Sequence, residues 1–267
     1  MDAGLMRREP VSEGLYYHDL NVTLSETMLI TAVGLTRNAG LEWWAPLRTV
    51  TTRVRFVDAE RRPFVSEEAD LHHRNETRAG PGDPWLLLHL ARTGGAWTVA
   101  PRLGVTIPLG HTEGDPFDLG RRGLAHQHVQ LGTGTWDPVL GLAAGRRLGE
   151  VGLSVSTLAR LTAYENEPGY RAGNRYQAAL NLDRGLGAVW RVTSGLELAR
   201  EDAERWQGLH DEEEGNLGRT DLRLAFGLVR SIRGVGGLSL SVRIPLVTRA
   251  RGAQLDYPAL VSVGLAR

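Results

Sequence analysis

The feature that most constrains this chain is an alternation of period two that runs for a dozen residues at a time. In 97–109 (WTVAPRLGVTIPL), Val99, Pro101, Leu103, Val105, Ile107 and Leu109 fall on one parity. Thr98, Ala100, Arg102, Gly104, Thr106 and Pro108 fall on the other. Successive side chains of a strand point to opposite faces, so this is a ribbon with one apolar side and one small or polar side. The pattern returns in 219–232, where Leu222, Leu224, Phe226 and Leu228 oppose Arg223, Ala225 and Gly227. It returns again in 238–246, 151–163, 188–200 and 49–56. No stripe of period 3.6 persists over a helix length; 196–206 (LELAREDAERW) is long enough for a short helix only.

Candidate strands lie at 15–24, 27–36, 43–57, 85–93, 96–109, 126–145, 149–164, 174–184, 188–200, 219–232, 236–247 and 257–265. Most match the ~9–11 residues that a tilted strand needs to cross a bilayer, against a mode of ~5–6 in globular proteins. Their connections alternate between short (92–95, 145–150, 183–188, 232–237) and long and polar (58–84, 110–125, 165–173, 201–218, 248–256). In an up-and-down meander that puts every long loop at one end, as in outer-membrane barrels. The expected fold is all-β: one antiparallel up-and-down transmembrane β-barrel of about twelve strands, a single domain over 1–267 with 1–14 irregular. The alternative is a soluble sandwich or barrel with the apolar faces turned inward, since alternation alone does not say which face is outside.

Composition narrows the classes. Arg supplies every basic side chain, 31 against 31 acids, and the net charge is zero. A nucleic-acid or polybasic membrane-surface partner needs a positive footprint, so neither is expected. No run approaches the ~18–20 apolar residues of a membrane helix. The opening MDAGLMRREP has no apolar signal-peptide core. Cys is absent, which excludes disulfide and thiolate chemistry. No G-x-S-x-G, Walker loop, H-E-x-x-H or paired-carboxylate context occurs, so no catalytic residues and no cofactor are assigned.

If the polar parity lines a lumen, Arg53, Arg55, Arg102, Arg160, Arg175, Arg191, Arg223 and Arg243 face inward with Glu197, Asp183 and Asp221. A guanidinium ring favours anions in a pore; the same residues equally read as an internal salt-bridge network. The acidic run 211–214 is a candidate to fold in against them. Arg184, Arg200 and Arg230 share the apolar parity but lie near strand ends, where snorkelling makes them tolerable. His126-Gln127-His128, placed on a strand, points two imidazoles to one side, with His111 in the preceding loop; these three are the candidate Zn or Cu ligands. The plainer reading is hydrated rim histidines. His72 and His73 read as solvated, and His89 as a lumen packing residue. Tyr16, Tyr17, Trp43, Trp44, Trp85, Trp97, Trp136, Trp190, Trp206, Tyr164, Tyr170, Tyr176 and Tyr257 lie mainly at strand ends, where an interfacial girdle sits.

Several motifs occur in order: GVTIPLGHTEGDPFDLG (104–120), HQHVQLGTGTWDPVLGL (126–142), Y-E-N-x-x-G-Y-x-x-G-N (164–174) and PL…GAQLDY…GL (245–265). Over about 85–266 the chain resembles the bacterial outer-membrane β-barrel transporter family linked to the meta-pathway of phenol degradation. The resemblance implies an outer-membrane location, the lipid bilayer and the outer-membrane assembly machinery as partners, and passive passage of small molecules, hydrophobic or aromatic ones among them. Such barrels usually end in an aromatic residue, whereas this chain ends Gly264-Leu265-Ala266-Arg267. The alternative function is a closed-lumen structural, metal-binding or ligand-binding barrel.

Overall fold

The structure, a computed structural model, describes residues 5–11, 14–63, 75–211, 215–252 and 254–266. Twelve strands follow one another through a single antiparallel sheet. They are β1 (Leu5–Val11), β2 (Gly14–Thr36), β3 (Ala39–Asp58), β4 (Trp85–Leu90), β5 (Trp97–Thr106), β6 (Pro138–Leu148), β7 (Val151–Arg160), β8 (Arg175–Leu186), β9 (Trp190–Glu201), β10 (Asn216–Ile232), β11 (Gly236–Gly252) and β12 (Leu260–Ala266). Short pieces at Glu76–Pro81 and Arg92–Gly94 add to β3 and β5. No ladder joins β1 to β12 among the described residues. The wall nevertheless curls, because one cavity of about 650 Å³ touches β2, β3, β5, β7 to β11 and β12 together. Among the described residues no helix is long and apolar enough to cross a membrane.

The registers decide which face is which. Ala144, Val155, Leu180, Leu196, Leu224 and Ile244 stand side by side across six strands. Leu88, Leu103 and Leu140 continue the same face through β4, β5 and β6. Most of these side chains are exposed, as are Leu198, Leu228, Leu240 and Val263. The opposite face carries Arg102, Gly141, Leu158 and Gln177 in one row, and Asn181, Gly195, Ala225 and Arg243 in another. Fully burying one such leucine is worth about 1.5–3 kcal/mol, so a belt of exposed leucines round the outer wall is the reverse of a water-soluble arrangement.

Glycine on the inner face makes room for its cross-strand neighbours. A Cβ at Gly152 would strike the carboxylate of Asp183, and one at Gly40 would strike His89 and the Val33 carbonyl. The connections keep the expected asymmetry. The turns after β2, β6, β8 and β10 are tight, and those after β3, β5, β7, β9 and β11 are long.

Three expectations are corrected. The segment 1–14, expected irregular, contains β1 paired with β2 from Leu5–Leu20 to Val11–Gly14. The segments 15–24 and 27–36 form one continuous strand. The segment 126–145 is a strand only from Pro138. Its first half is held in an irregular loop by side-chain hydrogen bonds. Beyond Trp44, β3 leaves β4 and continues to Asp58, paired with β2 and with Glu76–Pro81. The hairpin therefore stands about fourteen residues past the neighbouring rim, on the order of 45 Å of chain.

Candidate functional site

The inner wall is built of cross-strand ion pairs. In β3, Glu42 is nine-tenths buried. It accepts from Arg102 Nε at 3.3 Å and from Trp44 Nε1 at 3.0 Å, and His89 Nδ1 lies 3.1 Å away. Half-way round, Glu197 accepts from Arg243 Nε at 2.9 Å, with Arg223 Nε at 3.9 Å. Towards the long-loop end, Arg175 pairs with Glu201 at 3.1 Å and Arg160 with Asp137 at 3.6 Å. Towards the short-turn end, Asp183 lies 3.8 Å from Arg191 and 3.7 Å from Arg147. Arg102, Arg160, Arg175, Arg191, Glu197, Arg223 and Arg243 thus occupy the inner parity, each within 4 Å of a charge of the other sign, although Arg160 and Arg175 stand directly across from each other in the register.

Arg53 and Arg55 do not. They share the parity of Leu41 and Trp43, and both are exposed on the outside. The reason is the height of that part of β3. Past the rim the polar residues Arg53 and Arg55 turn out, while Val50 and Thr52, of the opposite parity, are buried. Glu42 is absent from the expected set because it lies one residue before the expected strand start at 43, whereas the strand starts at Ala39. Its signal was the alternation Gly40, Glu42, Trp44.

The long loops close over one end. Asp83 Oδ1 accepts the Gly110 N–H at 2.8 Å, and Asp83 Oδ2 accepts the Thr133 N–H at 2.6 Å. Thr133 Oγ1 sits 2.9 Å from Asp83 Oδ2 and 3.1 Å from Asp137 Oδ2. Thr135 Oγ1 donates to Asp137 Oδ1 at 2.6 Å. Thr135 and Asp137 are fully buried, so the GTGTWD motif is a knot that ties the β3–β4 and β5–β6 connections together. Arg48 Nη1 donates to the Leu131 carbonyl at 2.8 Å, anchoring the knot to the tall hairpin.

A second cluster joins Phe117, in the one-turn helix α1 (Pro116–Arg121), to Tyr170, Ala172 and Trp206. Trp206 and Tyr170 are buried there and do not belong to a girdle. Burial pushes the Tyr170 hydroxyl up and the Glu204 carboxyl up to about 7.

His126 and His128 lie in the irregular stretch before β6, not on a strand. Their rings still meet, with centroids 5.3 Å apart. His126 Nδ1 is 2.9 Å from the Leu124 carbonyl, and His128 packs edge-on against Phe117. His111 is turned to Glu113, Nε2 to Oε1 at 2.9 Å. Among the described residues no group of three or more His, Asp or Glu side chains is arranged to hold a metal, so the three-histidine site does not form. His72, His73, Glu212 to Glu214 and the side chains of Tyr16 and Tyr17 lie outside the described residues.

On the outer wall, Arg146 lies 5.4 Å from the Trp97 ring and Arg230 lies 5.3 Å from the Trp190 ring. Arg184 pairs with Glu150 at 2.7 Å and Arg200 with Asp202 at 3.1 Å. These four outward arginines lie near strand ends, each with a partner.

No family model matches the chain, and no curated protein matches it. Among solved structures, it is similar to the crystal structure of an outer membrane channel from Pseudomonas putida F1. The TM-score is 0.59 at 16% identity, covering 98% of this chain and 87% of that one. The likeness extends over nearly the whole chain and establishes the fold: an antiparallel β-barrel wall.

Proposed function

We propose that this chain is an outer-membrane barrel that lets small molecules cross passively through its lumen. The observation that carries the reading is the inverted distribution of side chains: apolar ones exposed round the outer wall, ionic ones paired inside. Such a wall is stable where its outside meets hydrocarbon and its inside meets water. The strands β5 to β9, ten to twelve residues each, match the ~9–11 residues of a membrane strand. The fold likeness to an outer membrane channel supports the same reading. The bilayer and the outer-membrane assembly machinery are then its partners, and no catalytic step or cofactor is assigned. Selectivity comes from the width and charge of the ion-paired section between Glu42 and Glu197. The family resemblance adds the finer reading that hydrophobic or aromatic molecules are among the cargo.

The test is a planar-bilayer recording of the purified, refolded chain. Discrete current steps above background are expected. A silent bilayer, with insertion verified by protease protection of the wall, removes the channel.

A further inference from the structure

We infer that the lumen holds a binding site for small organic anions, with a carboxylate seated on Arg223 and Arg243 and an apolar body against Leu24, Trp44 and Leu260. These five residues line one cavity together with Glu197. The inference deepens the channel reading and rests on it for its consequence in transport.

Arg223 is nine-tenths buried, yet its Nε has no hydrogen-bond partner. Glu197 Oε2 is 3.9 Å away, beyond hydrogen-bond reach, and Glu197 Oε1 is taken by Arg243. One carboxylate therefore answers two guanidinium groups. Elsewhere on the same wall the charges cancel: Arg102 is paired with Glu42, and Glu26 with Arg48 at 2.8 Å. The cavity is left with one surplus positive charge, carried by two guanidinium groups that share one carboxylate. A carboxylate is the group whose charge and bidentate geometry answer a guanidinium.

The facing part of the cavity is apolar, although it lies on the inner parity. Leu24 is 67% exposed into the hollow, and Leu260 stands in register with Arg243. Trp44 offers an aromatic surface, stacked on Trp85 at 5.5 Å. With Leu158, which lines the same cavity, these three provide a patch for a hydrocarbon body. The volume of about 650 Å³ falls within the ~300–1,000 Å³ of small-ligand sites. A neutral analogue gains the patch but leaves the surplus positive charge unanswered, and a cation meets the wrong charge.

Isothermal titration of benzoate into the full detergent-solubilised barrel tests this, with benzamide as the neutral match. Benzoate is expected to bind about tenfold or more tightly than benzamide. Arg223→Gln is expected to abolish the preference, and Glu197→Gln, which removes the competing carboxylate, to strengthen benzoate binding. The two variants move the affinity in opposite directions, a pattern that misfolding does not produce. Equal binding of benzoate and benzamide overturns the site, as does a preference unchanged in Arg223→Gln. Bilayer recordings separate the two claims. Benzoate preference without any current removes the channel and keeps the site; current without benzoate preference does the opposite.

Discussion

Asp83 is a single carboxylate that holds two loops, through the N–H groups of Gly110 and Thr133. Asp83→Ala strands these donors, and each buried orphan costs about 1–3 kcal/mol. The expected result is a loss of about 2–4 kcal/mol in the stability of the loop layer. It is read as faster tryptic cleavage after Arg121 and Arg122, with the strands still protected. Unchanged cleavage would show that the knot is held by other contacts. Glu204 makes a prediction in pH. Its carboxyl accepts from the Asn216 N–H at 3.2 Å and lies 3.5 Å from the Tyr170 hydroxyl. Burial raises it from an ordinary 4.5 to about 7, so the folded state holds the proton more tightly than the unfolded one. The stabilisation is complete below about 4.5 and is lost as the pH rises through about 7. Hydrogen exchange in 202–211 is expected to be slower at pH 5 than at pH 8, after correction for intrinsic rates. Glu204→Gln should remove the difference; the same pH response in that variant would assign it elsewhere.

A strand's parity is the unit that decides tolerance to charge. Leu240 faces out and Ser241 faces in, one residue apart on β11. Leu240→Arg places a guanidinium on the hydrocarbon side at a cost of about 2–4 kcal/mol near the midplane, whereas Ser241→Arg places it in water. Membrane insertion should fall sharply for the first and stay near wild type for the second, measured as the folded fraction after refolding into vesicles. Equal losses for both would refute the face assignment. This parity was the legible part of the sequence. The leucine ladders of β5, β9, β10 and β11 needed only period two and strand length, both of which follow from local chemistry. What was not legible depends on height. Arg53 and Arg55 obey the same alternation, but above the rim the outside is water, so polarity stops reporting the lumen. His126 and His128 also alternate with their neighbours. Their stretch is instead tied to partners far away in the chain, Gln127 to Glu76 over 51 residues and Thr133 to Asp83 over 50. No local pattern encodes such contacts.

For the whole molecule, the zero net charge is reproduced inside as a set of matched pairs, so selectivity rests on small imbalances. Glu42→Gln removes one acid from the lumen and leaves Arg102 without that partner. The reversal potential across a salt gradient is expected to move toward anions. The shift should shrink at high ionic strength, where the screening length falls to about 3 Å at 1 M. A reversal potential that does not move would place the narrowest section away from Glu42.

The Trp97–Arg146 and Trp190–Arg230 pairs lie on the outer wall beside the tight turns, four strands apart in the order of the sheet. An indole prefers the headgroup layer and a guanidinium prefers the phosphates just beyond it. Together they act as a draught mark on a hull. On the proposed membrane reading, the barrel rides at one depth, and a thinner or thicker bilayer must deform to meet it.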